Sequence, residues 1–159
     1  MTPEFKLYQQ QVCKNAKALE SEFKRLGYKL VSDGTDSHMV LLNLRATGLD
    51  GARVEGILEA ANISCNKNAI PGDKSALTPC GIRIGTPAAT TRGFSEEDFK
   101  RVANYIDTLI KITRKTQDSL PKEANKLKDF KAAVAAGIPE VQALRKEIAA
   151  WAATFPLPI

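Results

Sequence analysis

The residues best suited to chemistry lie between positions 65 and 88. A polar stretch, Cys65-Asn66-Lys67-Asn68-Ala69-Ile70-Pro71-Gly72-Asp73, is followed by Gly81-Ile82-Arg83-Ile84-Gly85-Thr86-Pro87-Ala88. The second segment places one fixed cation, Arg83, among isoleucines and glycines. Burying a guanidinium in such a strand is costly without an anion. Its planar fork matches a carboxylate through two parallel hydrogen bonds. The region therefore reads as a carboxylate-binding site beside a polar pocket. On the residues alone, an arginine paired with a carboxylate elsewhere in the fold is an equal reading, because structural ion pairs also bury arginine. Asn68, on the residues alone, reads as a loop asparagine bonding locally to the backbone.

Other chemistries find little support. The chain has one histidine and no His/Cys/Asp/Glu cluster at ligand spacing, so the sequence gives no metal site. A Ser-His-Asp arrangement could use only His38, which follows a turn at the start of a strand and reads as a hydrogen-bonded structural residue. No phosphate-cradling glycine loop is present. Cys13, Cys65 and Cys80 form no CxxC pair and leave one odd, which argues against a disulfide framework and fits a reducing compartment. Cys13 is predicted to be a small buried hydrophobe on a helix face.

Composition bounds the rest. The 159 residues are enough for one domain with one core. No apolar run is long enough for a membrane span, and residues 1–6 do not resemble a secretion signal. The net charge of +5 is spread out: residues 1–94 hold 12 Lys/Arg against 9 Asp/Glu, and residues 95–159 hold 11 against 9. Nucleic-acid binding needs a concentrated patch, so no nucleic-acid partner is expected.

The elements that must position Arg83 follow from periodicity. Phe5, Tyr8, Val12, Ala16, Leu19, Phe23 and Leu26 recur at steps of three and four, predicting a helix over 4–26 that ends at Gly27. Met39 to Leu44 reads as a strand covered on both faces. A helix starts near Asp50 as N-cap, with Val54, Ile57, Leu58 and Ala61 inward. Short strands are predicted at 63–66 and 81–85, separated by a polar loop, with Pro87 barring continuation. Ser95 to Asp98 resembles a capping box before a helix whose inner face includes Phe99, Val102, Ile106 and Ile110. Pro121 and Pro139 introduce helices at about 121–135 and 140–154. The fold class is thus α/β (α+β): a small, mainly antiparallel three-stranded sheet covered by helices, with a helical C-terminal extension.

These segments also carry a resemblance. Asn66-Lys67-Asn68, Pro71, Asp73, Ser75, Gly81 to Ala88 and Thr91-Arg92-Gly93-Phe94 together resemble serine hydroxymethyltransferase, in its eukaryotic, fungal-type form. Asp36-Ser37-His38 and the tail Trp151 to Pro158 are similar to further elements of that family. The resemblance covers residues 1–159 as the family's C-terminal third. It implies the small C-terminal domain of a fold-type-I pyridoxal-phosphate enzyme, with helix 4–26 linking to a large cofactor-binding domain. It implies an enzyme interconverting serine plus tetrahydrofolate with glycine plus 5,10-methylenetetrahydrofolate. In that reading Arg83 binds the substrate carboxylate, and Asn68 and Ser75 line the folate pocket. Asn66 and Lys67 read as shaping the loop; the resemblance gives Arg92 no specific role, and the residue itself reads as a capping or ion-pair arginine.

The resemblance further implies that the Schiff-base lysine and the other groups holding pyridoxal phosphate belong to the large domain. No lysine here follows a run of threonines, as the family's does. The chain is therefore expected to be an inactive fragment of a cytoplasmic homo-oligomeric enzyme, with a mitochondrial form as the other possibility. The competing readings are a stand-alone module for small carboxylates or RNA, or an oligomerisation domain.

Overall fold

The computed structural model describes residues 2–121, 123 and 125–157. Four antiparallel strands, β1 (Lys29–Leu30), β2 (Met39–Asn43), β3 (Asn66–Asn68) and β4 (Gly81–Gly85), form a sheet in the order β1-β2-β4-β3. The sheet has one strand more than the sequence predicts. The two residues of β1 are too few to display the period of two that marks a strand.

The chain wraps one face of this sheet in helices: α1 (Pro3–Arg25), α2 (Gly51–Ala60), α3 (Pro87–Thr91), α4 (Glu96–Ser119), α5 (Leu127–Ala136) and α6 (Pro139–Ala152). The inward residues Val40, Leu42, Ile82 and Ile84 meet Leu19 and Phe23 of α1, Val54, Ile57 and Leu58 of α2, and Phe99, Ile106 and Leu109 of α4 in one apolar core. The ends of these helices are set chemically. The Thr2 hydroxyl accepts from Phe5 N, and the Asp50 carboxylate accepts from Arg53 N at 2.9 Å. The Asp98 carboxylate accepts from Ser95 N at 2.8 Å, as the capping-box reading expects.

Several expectations are corrected. Burial alternates along β2, so that strand is packed on one face and half-open on the other rather than covered on both. Cys13 is exposed. It lies about 100° round the helix from the buried Val12, outside the stripe that Val12, Ala16, Leu19 and Phe23 form. Phe5, at the start of the predicted stripe, is 47% exposed, and neighbouring Leu7 is 66% exposed. The helix predicted from Pro121 begins only at Leu127, where the Asp129 carboxylate accepts from Lys126 N. Residues 122 and 124 lie outside the described residues.

The turn after β4 is anchored from three sides. Thr86, fully buried, donates from N to the His38 carbonyl at 2.9 Å, and its hydroxyl lies 2.9 Å from the Val12 carbonyl. Buried Asn15 donates from Nδ2 to Thr90 Oγ1 and to the Phe94 carbonyl. Arg92 donates to the carbonyls of Ala152, Phe155 and Pro156, and the Phe94 ring lies 4.0 Å from that of Phe155. Arg92 thus caps the end of α6, and the C-terminal extension braces the corner that β4 runs into.

Candidate functional site

Because strand side chains alternate, Arg83 points away from the face that Ile82 and Ile84 bury. The register pairs Leu41 with Arg83 and Asn66 with Arg83, making one row across the sheet. The adjacent row is Lys29, Asn43, Gly81 and Asn68. Arg83 and Asn68 therefore share the open face, one register step of the alternation apart. Arg83 is exposed, which corrects the expectation of a buried guanidinium. The reason is that the helices of this chain cover only the opposite face.

Arg83 differs from most arginines of the molecule. Arg25, Arg45, Arg53 and Arg114 hold Glu22, Asp73, Asp50 and Asp118. Arg92 holds carbonyls, and Arg101 donates to the Tyr105 hydroxyl. Arg83 has no ion pair and no side-chain hydrogen bond among the described residues. It lines an open groove of about 450 Å³ with His38, Met39, Ser64, Cys65, Asn66 and Gly85. No carboxylate belongs to that lining. Burial pushes the Cys65 thiol up to about 12, with Glu55 and Glu59 adding to the effect. Cys65 is thus a neutral part of the groove, not a nucleophile. The groove presents one fixed positive charge, amide and hydroxyl donors, and no competing anion, an arrangement suited to a small carboxylate.

The other sequence-derived candidates are placed less closely. Asn68 does not line this groove. It is half-buried on the neighbouring row, its Nδ2 donating to the Ala69 carbonyl at 2.7 Å and leaving its Oδ1 open. Ser75 lies in the exposed loop between β3 and β4, where its hydroxyl accepts from Leu77 N at 3.2 Å. His38 contributes its carbonyl to Thr86, and this exposed residue is also among those that line the groove. Among the described residues no group of three or more His, Cys, Asp and Glu side chains could hold a metal ion. No helix there is long and apolar enough to cross a membrane.

The loop between β3 and β4 is organised by Asp73. Its Oδ2 accepts from Ile70 N and Cys80 N, both at 2.9 Å, and its Oδ1 accepts from Arg45 Nη2 at 2.9 Å. The Ile70 amide bond is the largest influence holding the carboxyl down at about 2. Because the folded group is more acidic than an unfolded aspartate, its contribution is complete above the ordinary carboxylate range. That contribution is lost as pH falls through about 2. Asp73→Ala is expected to raise amide exchange across residues 70–80 by at least tenfold at neutral pH, since bonds to charged acceptors contribute about 1.5–3 kcal/mol each. Exchange at Ile70 and Cys80 unchanged from the parent would show that the loop is held by something else.

A family model, serine hydroxymethyltransferase, matches residues 1–106. A protein named serine hydroxymethyltransferase, cytosolic, from Aspergillus fumigatus is 74% identical over 99% of this chain and 34% of its own length. Proteins of the same name from Neurospora crassa and Saccharomyces cerevisiae are 65% and 61% identical over 99% of this chain and 33% and 34% of theirs. The chain spans about a third of the length of the curated relatives it matches. With two-thirds of its residues matching the family model, and an open-faced sheet presenting the arginine of Gly-Ile-Arg-Ile-Gly, the chain belongs to the serine hydroxymethyltransferase family.

Proposed function

We propose that residues 1–159 form the C-terminal domain of an enzyme that interconverts serine plus tetrahydrofolate with glycine plus 5,10-methylenetetrahydrofolate. The observation that carries this reading is the solvent-facing Arg83, without an ion pair among the described residues, in a groove whose lining holds no carboxylate. Arg83 would clamp the carboxylate of serine or glycine and fix the amino acid's orientation, which contributes to rate. Asn68 would present its open carbonyl, and on rotation its amide, to the heterocycle edge of the folate. Ser75 would form the outer rim of that pocket through the loop that Asp73 organises.

Pyridoxal phosphate supplies the electronic chemistry in this family. The residues of this chain do not fit it. No lysine lines the Arg83 groove, and Lys67, next to the groove residue Asn66 in sequence, is held by Glu55 at 2.7 Å. On this reading the cofactor is held by residues outside this sequence, and the complete protein is a homo-oligomer. The names of the fungal relatives support a cytosolic location. Seven relatives named cytosolic or probable cytosolic are 58–74% identical, against 53% for one named mitochondrial.

Two measurements test the proposal. This chain alone, mixed with pyridoxal phosphate and dialysed, is expected to keep no cofactor absorption and to turn over no serine. A chimera in which it replaces the matching third of the Aspergillus fumigatus relative is expected to form glycine from serine in a tetrahydrofolate-dependent manner. A folded chimera without that activity would overturn the reading.

A further inference from the structure

Asn66 stands directly across from Arg83 in the β3–β4 pairing, and both side chains leave the open face of the sheet. Residues opposed in this way hold their Cβ atoms about 4.5–5.5 Å apart. Both are exposed, and both line the same groove. The side-chain donors of the other β3 residues have partners: Lys67 Nζ donates to Glu55 Oε2 at 2.7 Å, and Asn68 Nδ2 to the Ala69 carbonyl at 2.7 Å. The Asn66 carboxamide has no hydrogen-bond partner among the described residues. Asparagine is depleted in strands, so pairing with β4 gives no reason for its presence. It is instead a neutral donor beside a cation, in a groove lined by no acid.

We infer that Asn66 is a second binding residue of the amino-acid site, its Nδ2–H donating to the same substrate carboxylate that Arg83 grips. This rests on the reading of Arg83 proposed above. A carboxylate held by two guanidinium bonds still has lone pairs free, and the residue opposed to the arginine is placed to use one. The Asn66 Oδ1, turned toward the guanidinium, complements its charge without neutralising it. Asparagine serves here where aspartate could not. A carboxylate at 66 would pair with Arg83 and repel the substrate, whereas the amide leaves the positive charge available.

The test uses the chimera with the Aspergillus fumigatus relative and glycine as the probe. Asn66→Ala is expected to weaken glycine binding about tenfold, the loss of one hydrogen bond to a charged group. Asn66→Asp, nearly isosteric, is expected to weaken it more than a hundredfold, with an unchanged thermal midpoint. A residue that merely shaped the loop would give the opposite order, with alanine worse than the isostere. Glycine binding within threefold of the parent in Asn66→Ala, or an Asn66→Asp variant that binds as well as Asn66→Ala, overturns the inference. Arg83→Ala, measured alongside, separates the two readings. If it loses glycine while Asn66→Ala does not, only the assignment of Asn66 fails. If it binds glycine normally, the carboxylate site itself is refuted and Asn66 with it.

Discussion

Replacing Arg83 with alanine, in a full-length chimera carrying this chain, is expected to weaken glycine and serine binding by more than a hundredfold. Two charge-assisted hydrogen bonds, each worth roughly 1.5–3 kcal/mol, vanish together, and about 1.4 kcal/mol corresponds to a factor of ten. Arg83→Lys is expected to fail nearly as badly, because an ammonium is a point charge and cannot reproduce a bidentate fork. Neither variant should lose stability, since Arg83 is exposed and holds no partner among the described residues. Asn68→Ala gives the contrast: glycine binding persists while folate-dependent turnover falls about tenfold. Glycine titrations with and without folate distinguish the two patterns. Unchanged glycine affinity in Arg83→Ala would return that residue to the open surface of the sheet with no role in substrate binding.

The parts of this molecule that repeat with a period were legible in the sequence. The stripe from Val12 to Phe23, the cap at Asp50, the box at Ser95 and the glycine-flanked strand around Arg83 each encode their structure locally. The misreadings share a cause, which is dependence on what lies opposite. The apolar sequence around Arg83 suggests a covered strand, yet only its Ile82 and Ile84 face is covered. Cys13 resembles a core residue by type, and only its rotation relative to Val12 places it outside. By sequence Asn66 reads as a residue that shapes a loop, whereas it lies in β3. Its apposition to Arg83 is a matter of register, set across a hairpin whose long loop carries no periodic signal. By sequence Asp73 is one polar residue of the loop and one residue of the family resemblance. That it gathers Ile70, Cys80 and Arg45 is visible only once the loop has folded back on itself.

The register itself depends on Gly81, and Gly81→Ala is expected to be among the most damaging small substitutions in the chain. Gly81 does not occupy the left-handed region, so conformational freedom is not the reason for glycine there. Alanine would even reduce the entropy of the unfolded chain, a gain of about 0.4–1 kcal/mol. Space decides against it. A Cβ on Gly81 would lie inside van der Waals contact of the Asn68 carbonyl, 2.5 Å from Ile70 Cγ2 and 3.2 Å from Leu41 Cδ1. Ile70 and Leu41 can yield, but the Asn68 carbonyl is backbone of the paired strand. It can retreat only by loosening β3 from β4. Overpacking of this kind costs about 1–3 kcal/mol and outweighs the entropic gain. For a chain of this size a cost of about 1–3 kcal/mol corresponds to a fall in melting temperature of roughly 2–12 °C, less the small entropic gain. Displacing β3 also moves Asn66 and Asn68 relative to Arg83, so glycine binding in the chimera should weaken together with stability. Gly85→Ala supplies the control on the same strand. There a Cβ meets Pro87 Cδ at 3.8 Å and the His38 carbonyl at 3.9 Å, both ordinary contacts. Its melting temperature should equal the parent's or slightly exceed it. If the two variants melt alike, the close approach at Gly81 does not set the position of β3, and the alignment of the site must be fixed instead through Lys67 and Glu55.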